Sequence, residues 1–414
     1  MNDTRQALTR RTFLKRTTMA SSAAALAWTG WHGWMASGQA VPIKIGVVSQ
    51  FTGPPFSGLT VDMVNGFNLA MDQAGGTAAG RTFELVEADT QVNPQRGLEV
   101  TKKVIEQDQV DIIIGPISSG VAGAMRDTVA AAPVLWLISN AGNVLLTGER
   151  CASNIFRTSF SSWQTAAPFG PWAFDHVAQD YFLAFSNFAF GQQSAQFFTE
   201  SFEARGGKIV GQVAPPLRTS DFSSFLPAIQ SANPSAVFAF FSGSDAVNFV
   251  KQYADFGLKD QIPLTGNGFM VEEDVLPAQG EAALGIKTLL FWALTLDNAN
   301  NVAFRTAYND SFGKEPSTFA VQGFDTANVI LDVVTRLDGR FDASQNLDEI
   351  IRATEGTVLD SSPRGFTFRF DQATHNVILN MFVREVQRVG DKITNVVIDT
   401  LGEAIQPPLG CTFG

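Results

Sequence analysis

The sequence predicts an α/β protein built from two successive doubly wound sheets. Short β-rich apolar runs alternate with segments of helical spacing, which is typical of βαβ units and parallel sheets. This alternation begins afresh after residues 155–158. The 374 residues that follow position 40 also favour two domains over one. In such sheets ligands bind at the loops that follow the carboxyl ends of the strands.

The first sheet is predicted from residues 43 to 138. A turn-rich loop at 50–58 follows the first strand, and Gly75-Gly76 ends the first helix. The predicted elements are strand 43–49, a helix around 63–71, strand 83–88, helix 94–107, strand 111–114, helix 121–131 and strand 134–138.

The second sheet is predicted from residue 163 onwards. The predicted elements are helix 163–177, strand 181–186, helix 192–205, strand 208–213, helix 222–231, strand 236–241, helix 246–256 and strand 262–265, then strand 286–292, helices 302–312 and 318–337, and strand-like segments at 365–371 and 377–389.

Residues 9–15, Thr-Arg-Arg-Thr-Phe-Leu-Lys, read as a twin-arginine export signal. A weakly apolar, charge-free run at 17–35 follows, and Gly38 and Ala40 suit a signal peptidase at positions −3 and −1. A membrane anchor is the alternative, although Gly30, His32 and Gly33 dilute the apolar run. We therefore expect a signal peptide over 1–40, cleavage, and a soluble periplasmic protein exported in the folded state.

Composition excludes several classes of function. Without residues 1–40, 24 basic and 39 acidic residues remain, a net charge of −15 that disfavours nucleic acid and anionic membranes as partners. Neither Cys nor His residues cluster, so we expect no metal and no cofactor. The motifs GxSxG, HExxH, CxxC and the P-loop are absent, and no catalytic residues are predicted. An exported chain can oxidise Cys151 and Cys411, so we expect a disulfide that anchors the C-terminal tail; two separate thiols are the alternative.

Two loops that follow predicted strands carry polar groups. In Gly115-Pro116-Ile117-Ser118-Ser119-Gly120, hydroxyls and free N–H groups at a helix start would suit a carboxylate, although Ser118 or Ser119 could simply cap the helix. The second loop is Ser139-Asn140-Ala141-Gly142-Asn143. Because parallel strands end at the same edge of a sheet, we expect the two loops to act together.

The chain resembles the ABC-transporter solute-binding proteins of the branched-chain amino-acid type, which have the type I periplasmic binding fold. The resemblance spans the chain after residue 40, in order. It lies in the opening strand 43–49, the two loops above, Phe156-Arg157-Thr158, Pro316-Ser317 with Gly323-Phe324-Asp325, and Gly365 with Phe370-Asp371. It implies two Rossmann-like lobes joined by three crossovers, residues 41–157 with 293–372 and residues 158–292 with 373–414, and a ligand trapped between them when the hinge closes.

The resemblance also implies the ligand contacts. Ser119 would donate its hydroxyl to the ligand carboxylate, Ala141 would offer main-chain groups, and Asn143 stands where the family often has Thr. Phe190 and Phe324 replace pocket aromatics that are commonly Tyr, and Phe56 or Ser57 lies in the first loop near the ligand. Ser118 and Asn140 belong to the same loops, and Trp163 is an additional candidate, with core packing as its alternative.

One position departs from the family. Amino-acid binders pair the ligand ammonium with an acid, and the nearest position here is Asn267, whose amide carries no charge. With Phe in place of Tyr, the cleft is expected to hold an aromatic or apolar carboxylic acid rather than a zwitterion. Asp245 could restore the acidic partner if it faces the cleft; the alternative is a helix cap.

The function expected is therefore capture of a small carboxylate by a non-enzymatic, monomeric substrate-binding protein that delivers it to an inner-membrane ABC permease. Three alternatives stay open: amino-acid binding, a ligand sensor with the same fold, and an exported cofactor-dependent enzyme.

Overall fold

The computed structural model describes residues 41–413. The twin-arginine motif and its cleavage site, predicted within 1–40, lie outside the described residues. Over 41–413, no helix is both long enough and apolar enough to cross a membrane.

The strands fall into two sheets. In chain order they are β1 (Ile43–Ser49), β2 (Thr77–Ala78), β3 (Arg81–Asp89), β4 (Ile112–Ile114), β5 (Leu135–Ile138), β6 (Ile155–Arg157), β7 (Asp180–Phe185), β8 (Lys208–Val213), β9 (Ala236–Phe240), β10 (Leu264–Asn267), β11 (Lys287–Leu290), β12 (Val358–Leu359), β13 (Phe368–Asp371), β14 (Asn376–Val377), β15 (Leu379–Val389) and β16 (Lys392–Ala404).

Helices connect and flank these strands. They are α1 (Ser57–Gln73), α2 (Pro94–Glu106), α3 (Ser119–Ala130), α4 (Phe169–His176), α5 (Ala189–Ala204), α6 (Leu226–Ala232), α7 (Ser244–Asp255), α8 (Leu276–Gln279), α9 (Ala299–Phe312), α10 (Thr318–Arg336) and α11 (Ala343–Glu355). Short 3-10 turns occupy Val144–Thr147, Gly268–Val271 and Gly280–Ala283.

Both sheets have a parallel centre, which confirms the predicted fold class. The first has the order β12-β13-β14-β6-β5-β4-β1-β3-β2, and the second β16-β15-β11-β10-β9-β7-β8. Strands β3, β1, β4, β5 and β6 pair in parallel, as do β8, β7, β9, β10 and β11. Central strands such as β4, which consists of three fully buried isoleucines, are covered on both faces.

The structure corrects several predicted elements. The helix predicted at 163–177 begins only at Phe169, because Pro168 and Pro171 cannot donate backbone hydrogen bonds within a helix interior. Helix α11 and strand β16 were not predicted. The outward face of β16 is largely exposed, so its apolar alternation is weak.

The chain passes from one sheet to the other at three places. It leaves the first sheet after β6, leaves the second after β11, and passes from β14 to β15 across Ile378. Strand β14 pairs with β6 at Asn376 and Arg157. We therefore propose that each lobe follows sheet membership, which puts the third crossover at Ile378 rather than at residue 372.

The C-terminal tail returns to the first sheet's side of the molecule. A disulfide joins Cys151 to Cys411, and the Phe413 ring stacks on His375 with centroids 4.2 Å apart. Gln406 donates to the carbonyl of Thr147 at 2.8 Å. These contacts hold a segment that has no strand or helix of its own.

Candidate functional site

An aromatic cavity lies where loops from the carboxyl ends of both sheets meet. It surrounds about 310 Å³ of space, part of which opens to solvent. Its walls are mainly phenylalanine, with three polar side chains and no acidic or basic one. The lining residues are Phe56, Leu59, Ile117, Ser119, Asn140, Gly142, Phe160, Phe188, Phe190, Phe240, Ser242, Phe269 and Phe319.

The phenylalanines come from both lobes and pack on one another across the cavity. Phe160 lies 5.7 Å from Phe190 and 4.7 Å from Phe269, between ring centroids. Phe190 meets Phe240 edge-on at 4.7 Å. Phe269 reaches Phe319 of α10 at 5.6 Å. Such offset and edge contacts are the arrangement that aromatic rings prefer, so the chemistry of these walls suits an aromatic group.

One polar end of the cavity is the start of α3. Ser118 caps the helix by accepting from the Val121 N–H at 3.4 Å, and Ser119 lines the cavity. The N–H groups of Ser119 and Gly120 stand in the first turn, where no partner within the helix exists. Free N–H groups, a hydroxyl and the positive end of a helix dipole together suit a carboxylate.

The loop after β5 supplies a second polar group, Asn140. Its Nδ2 donates to Gln322 Oε1 of α10 at 2.6 Å, which fixes the direction of the amide. Gly142 in the same loop contacts the second lobe closely. A Cβ at that position would lie 2.4 Å from the ring of Phe190, so only glycine allows this approach.

Ala141 and Asn143 hold the site together and are not among its lining residues. The Ala141 N–H donates to the carbonyl of Pro116 at 2.9 Å, and its carbonyl accepts from Arg157. Asn143 Oδ1 accepts from Gln193 Nε2 of α5 at 3.0 Å, and Gln193 Oε1 accepts from the Val144 N–H at the same distance. Gln193 therefore bridges the two lobes beside the cavity.

Arg157 lies behind the same loop, at the end of β6. Its Nη1 donates to the carbonyls of Ala141 at 2.9 Å and Phe160 at 3.2 Å, and its Nη2 donates to Asn143 at 2.7 Å. The side chain is fully buried, and burial lowers the pKa of its guanidinium to about 9. Arg157 thus fixes the loop after β5 against the first crossover.

Four of the sequence-predicted residues line the cavity: Phe56, Ser119, Asn140 and Phe190. Phe324 packs instead on Phe304 of α9 at 4.9 Å. Trp163 lines a separate groove with Phe197 of α5 and Leu401 of β16.

Asn267 and Asp245 are buried beside the cavity without lining it. Asn267 Oδ1 accepts from the Phe269 N–H at 3.3 Å, so it positions one aromatic wall. Asp245 Oδ2 accepts from the Arg218 N–H at 2.8 Å, and burial raises the pKa of the Asp245 carboxyl to about 6. The acid that could have served an ammonium thus faces the backbone of a neighbouring loop.

Sequence reasoning missed the other lining residues, among them Phe160, Phe188, Phe240, Ser242 and Phe269. Four of these stand within three residues of the carboxyl end of a strand of the second sheet. That position was the available signal, since ligands bind at this edge of parallel sheets. Among residues 41–413, no group of three or more His, Cys, Asp or Glu could hold a metal ion.

Comparisons with known proteins agree on one family. A model described as "Periplasmic binding protein" matches residues 42–392. The Leu/Ile/Val-binding protein homolog 6 of Brucella melitensis is 28% identical over 354 residues, which cover 84% of this chain and 88% of that protein.

Solved structures are similar over nearly the whole chain. A solute-binding protein of an ABC transporter from R. palustris, in complex with benzoate, is 31% identical with a TM-score of 0.83; the match covers 90% of this chain and 100% of that one. A second, from Rhodopseudomonas palustris BisB5 in complex with 3,4-dihydroxybenzoic acid, is 29% identical with a TM-score of 0.81 and covers 88% of this chain and 97% of that one.

Proposed function

Because the chain belongs to the periplasmic binding protein family, we propose that it is the substrate-binding protein of an ABC importer and captures an aromatic or apolar carboxylic acid. The observation that carries the choice of ligand is the cavity itself. Seven phenylalanines wall it, and no charged side chain lines it. An α-ammonium buried there would lack a charged partner, which costs several kcal/mol, on the order of 2–5.

The carboxylate is bound at the polar end of the cavity in this proposal. The N–H groups at the start of α3 and the Ser119 hydroxyl donate to its oxygens, and the Asn140 amide lies beside them. The ring or alkyl body then lies among the phenylalanines of both lobes. The benzoate and dihydroxybenzoate in the two R. palustris proteins have this same division into an anionic and an aromatic end.

Capture proceeds by hinge closure, in which the first lobe binds the ligand and the second covers it. Gln193 joins Asn143 and Val144 on one side of the cavity. Glu272, held by Arg384 of β15, accepts from the Thr318 N–H at the start of α10 at 3.0 Å on another side. Both links connect segments of different lobes, and in this proposal they form as the lobes close. The closed form is then presented to an inner-membrane permease, after export from the cytoplasm and removal of residues 1–40.

The second candidate ligand is a branched-chain amino acid, favoured by the name of the Brucella relative. A thermal-shift panel on protein stripped of ligand by unfolding and refolding separates the two. A ligand at about 100 times its Kd adds about 2.7 kcal/mol of stability. Stabilisation by benzoate, hydroxybenzoates or phenylpropanoid acids, and not by leucine or valine, supports the proposal; the opposite pattern overturns it.

A sensor with the same fold would bind the same ligand and deliver it to a receptor. A permease gene beside this one, and loss of uptake of the bound acid when the binding protein is deleted, would identify the importer.

A further inference from the structure

Three arginines are fully buried in the described part of the chain, and their surroundings differ in one respect. Arg364 Nε lies 2.9 Å from Asp325 Oδ2, and Arg384 Nη1 lies 2.5 Å from Glu272 Oε1, with all four side chains buried. Arg157 takes part in none of the ion pairs formed within residues 41–413. Two of the buried cations therefore have a buried counter-charge, and the third does not.

The contacts of Arg157 are all to neutral groups. Its two terminal nitrogens donate to the carbonyls of Ala141, Asn143 and Phe160, and its Nε has no partner. The only cause that shifts its pKa is burial, which lowers it to about 9. Carbonyl dipoles reduce the cost of burying the cation, but they do not cancel its charge. At neutral pH the guanidinium is protonated and uncompensated.

Arg157 lies behind the loop that forms part of the cavity wall. Asn140, Gly142 and Phe160 line the cavity. Arg157 instead binds the backbone carbonyls of Ala141, Asn143 and Phe160. The cation and the cavity thus lie on opposite sides of the same loop. Since no charged side chain lines the cavity and Arg157 forms no ion pair within residues 41–413, an anionic ligand would bring a negative charge to the other side of this loop.

We infer that the carboxylate of the bound ligand is the counter-charge of Arg157, acting through the loop after β5 without direct contact. The inference rests on the proposed function and deepens it, because it assigns part of the requirement for a negatively charged ligand to Arg157, in addition to the donors at the start of α3. A brace that merely held three carbonyls would not need a charge.

The expected size of the effect follows from Coulomb's law. Two opposite unit charges roughly 8 Å apart at an effective dielectric constant of about 20 attract by an amount that changes affinity about 30-fold. Screening by salt is weak because both charges are buried.

The test compares benzoate with nitrobenzene, which has the same shape and two acceptor oxygens but no net charge, by calorimetry on the wild-type protein. Benzoate is expected to bind at least about 30-fold more tightly. Equal affinity overturns the inference together with the carboxylate end of the proposed function. A preference for benzoate is also expected from the donors at the start of α3, so the Arg157 variants decide how much of it depends on Arg157. If neither compound nor any other aromatic acid binds, the proposed function fails and this inference fails with it.

Variants then separate charge from bracing. Arg157→Gln removes the charge and retains an amide donor, so the preference for benzoate over nitrobenzene is expected to fall by about 30-fold. Arg157→Lys retains the charge and is expected to keep most of the preference. A purely structural role predicts that Arg157→Gln weakens both ligands equally, and an unchanged ratio overturns the inference.

The matched control is the double variant Arg364→Gln with Asp325→Asn. It removes a buried cation together with its counter-charge, and Arg364 also donates to crossover carbonyls, those of Ser159 and Thr158. Its preference for benzoate is expected to stay within about 3-fold of wild type, since no net charge is lost. If Arg157→Gln does not fold, Arg157→Met, which also removes the charge from a long side chain, takes its place and is judged by the same ratio.

Discussion

The side chain of Gln193 is hydrogen-bonded to Asn143 across the two lobes, with 3.0 Å between Gln193 Nε2 and Asn143 Oδ1. The other end of the same amide accepts from the Val144 N–H at 3.0 Å and from Ser162 Oγ at 2.7 Å. One side chain of α5 therefore uses both of its polar atoms to hold segments of the first sheet and the crossover. Two of these bonds, to Asn143 and Val144, join the two lobes, whereas Ser162 lies past the first crossover on the same side as Gln193.

Replacing Gln193 is expected to weaken ligand binding by opening the closed form. Gln193→Ala removes two hydrogen bonds between the lobes, each worth about 0.5–1.5 kcal/mol net, so their combined contribution of about 1–3 kcal/mol predicts a 10- to 100-fold faster release of bound acid. Stopped-flow measurement of the dissociation rate checks this. The control is Gln192→Ala, the neighbouring residue, whose amide donates to Asn187 within the second lobe. Equal release rates in the two variants would contradict a bridging role.

Gly243 is expected to be required for closure. It follows β9 with φ +56°, and a Cβ there would lie 2.4 Å from the carbonyl oxygen of Pro55 in the opposite lobe. Gly243→Ala should therefore keep the lobes apart and abolish high-affinity binding. Small-angle scattering with saturating ligand would show an expanded radius of gyration.

Gly280 is a matched control for this change. Its φ of 55° and ψ of −136° reproduce the 56° and −136° of Gly243, but nothing lies within 4 Å of an added Cβ. Both alanine variants should lose about 1–3 kcal/mol of stability through backbone strain. Only Gly243→Ala should lose the ligand; loss in both would assign the effect to strain alone.

Ser119 and Ser118 are expected to separate ligand binding from helix capping. Ser119 lines the cavity, so Ser119→Ala should weaken carboxylate binding about 10-fold, as one charge-assisted hydrogen bond is lost. Ser118 caps α3, so Ser118→Ala should lower the free energy of unfolding by about 1 kcal/mol. Calorimetry and denaturant titration on both variants measure the two effects, and a reversed pattern would show that Ser118 is the ligand contact.

The disulfide between Cys151 and Cys411 is expected to stabilise the whole chain. It closes a loop across a sequence separation of 260, and removing it should cost about 2–4 kcal/mol. Denaturant unfolding with and without reductant measures the loss. The double variant Cys151→Ser with Cys411→Ser should be insensitive to reductant, and two free thiols in unreduced wild-type protein would contradict the bridge.

Asp245 is expected to make stability depend on pH. Burial raises the pKa of its carboxyl from 3.8 to about 6, so the folded protein binds a proton there more tightly than the unfolded chain. An acid whose pKa is higher in the folded protein than in the unfolded chain stabilises the native state at low pH. That stabilisation is lost as the pH rises from about 4 to 6. Asp245→Asn should therefore be more stable than wild type at pH 7.5 by about 1–3 kcal/mol, and near-equal at pH 4. Unfolding titrations at both pH values check the sign; a constant difference would contradict it.

The alternation of strands and helices is visible in the sequence because each element buries a characteristic pattern of apolar residues. The isoleucines of β4 and the cap at Ser118 are local features of this kind. Where local patterns conflict, prediction fails: Pro168 shortens α4, and the exposed outer face of β16 conceals a long strand. Ser119 and Asn140 of the first lobe were predicted correctly as cavity residues because both stand in loops that follow strands, a position visible in the sequence.

Local patterns in the sequence are sufficient to predict two α/β sheets, a helix start suited to a carboxylate, and the excess of Phe over Tyr. The folded structure was needed to show which of the 35 phenylalanines line the cavity and that Asn143 contacts Gln193. It was also needed to show that Arg157 lies behind the loop after β5 and takes part in none of the ion pairs within residues 41–413. The difference arises because backbone periodicity depends on residues that are neighbours in the chain. Cavity walls, lobe contacts and charge balance depend instead on residues far apart in sequence, which only the folded chain brings together.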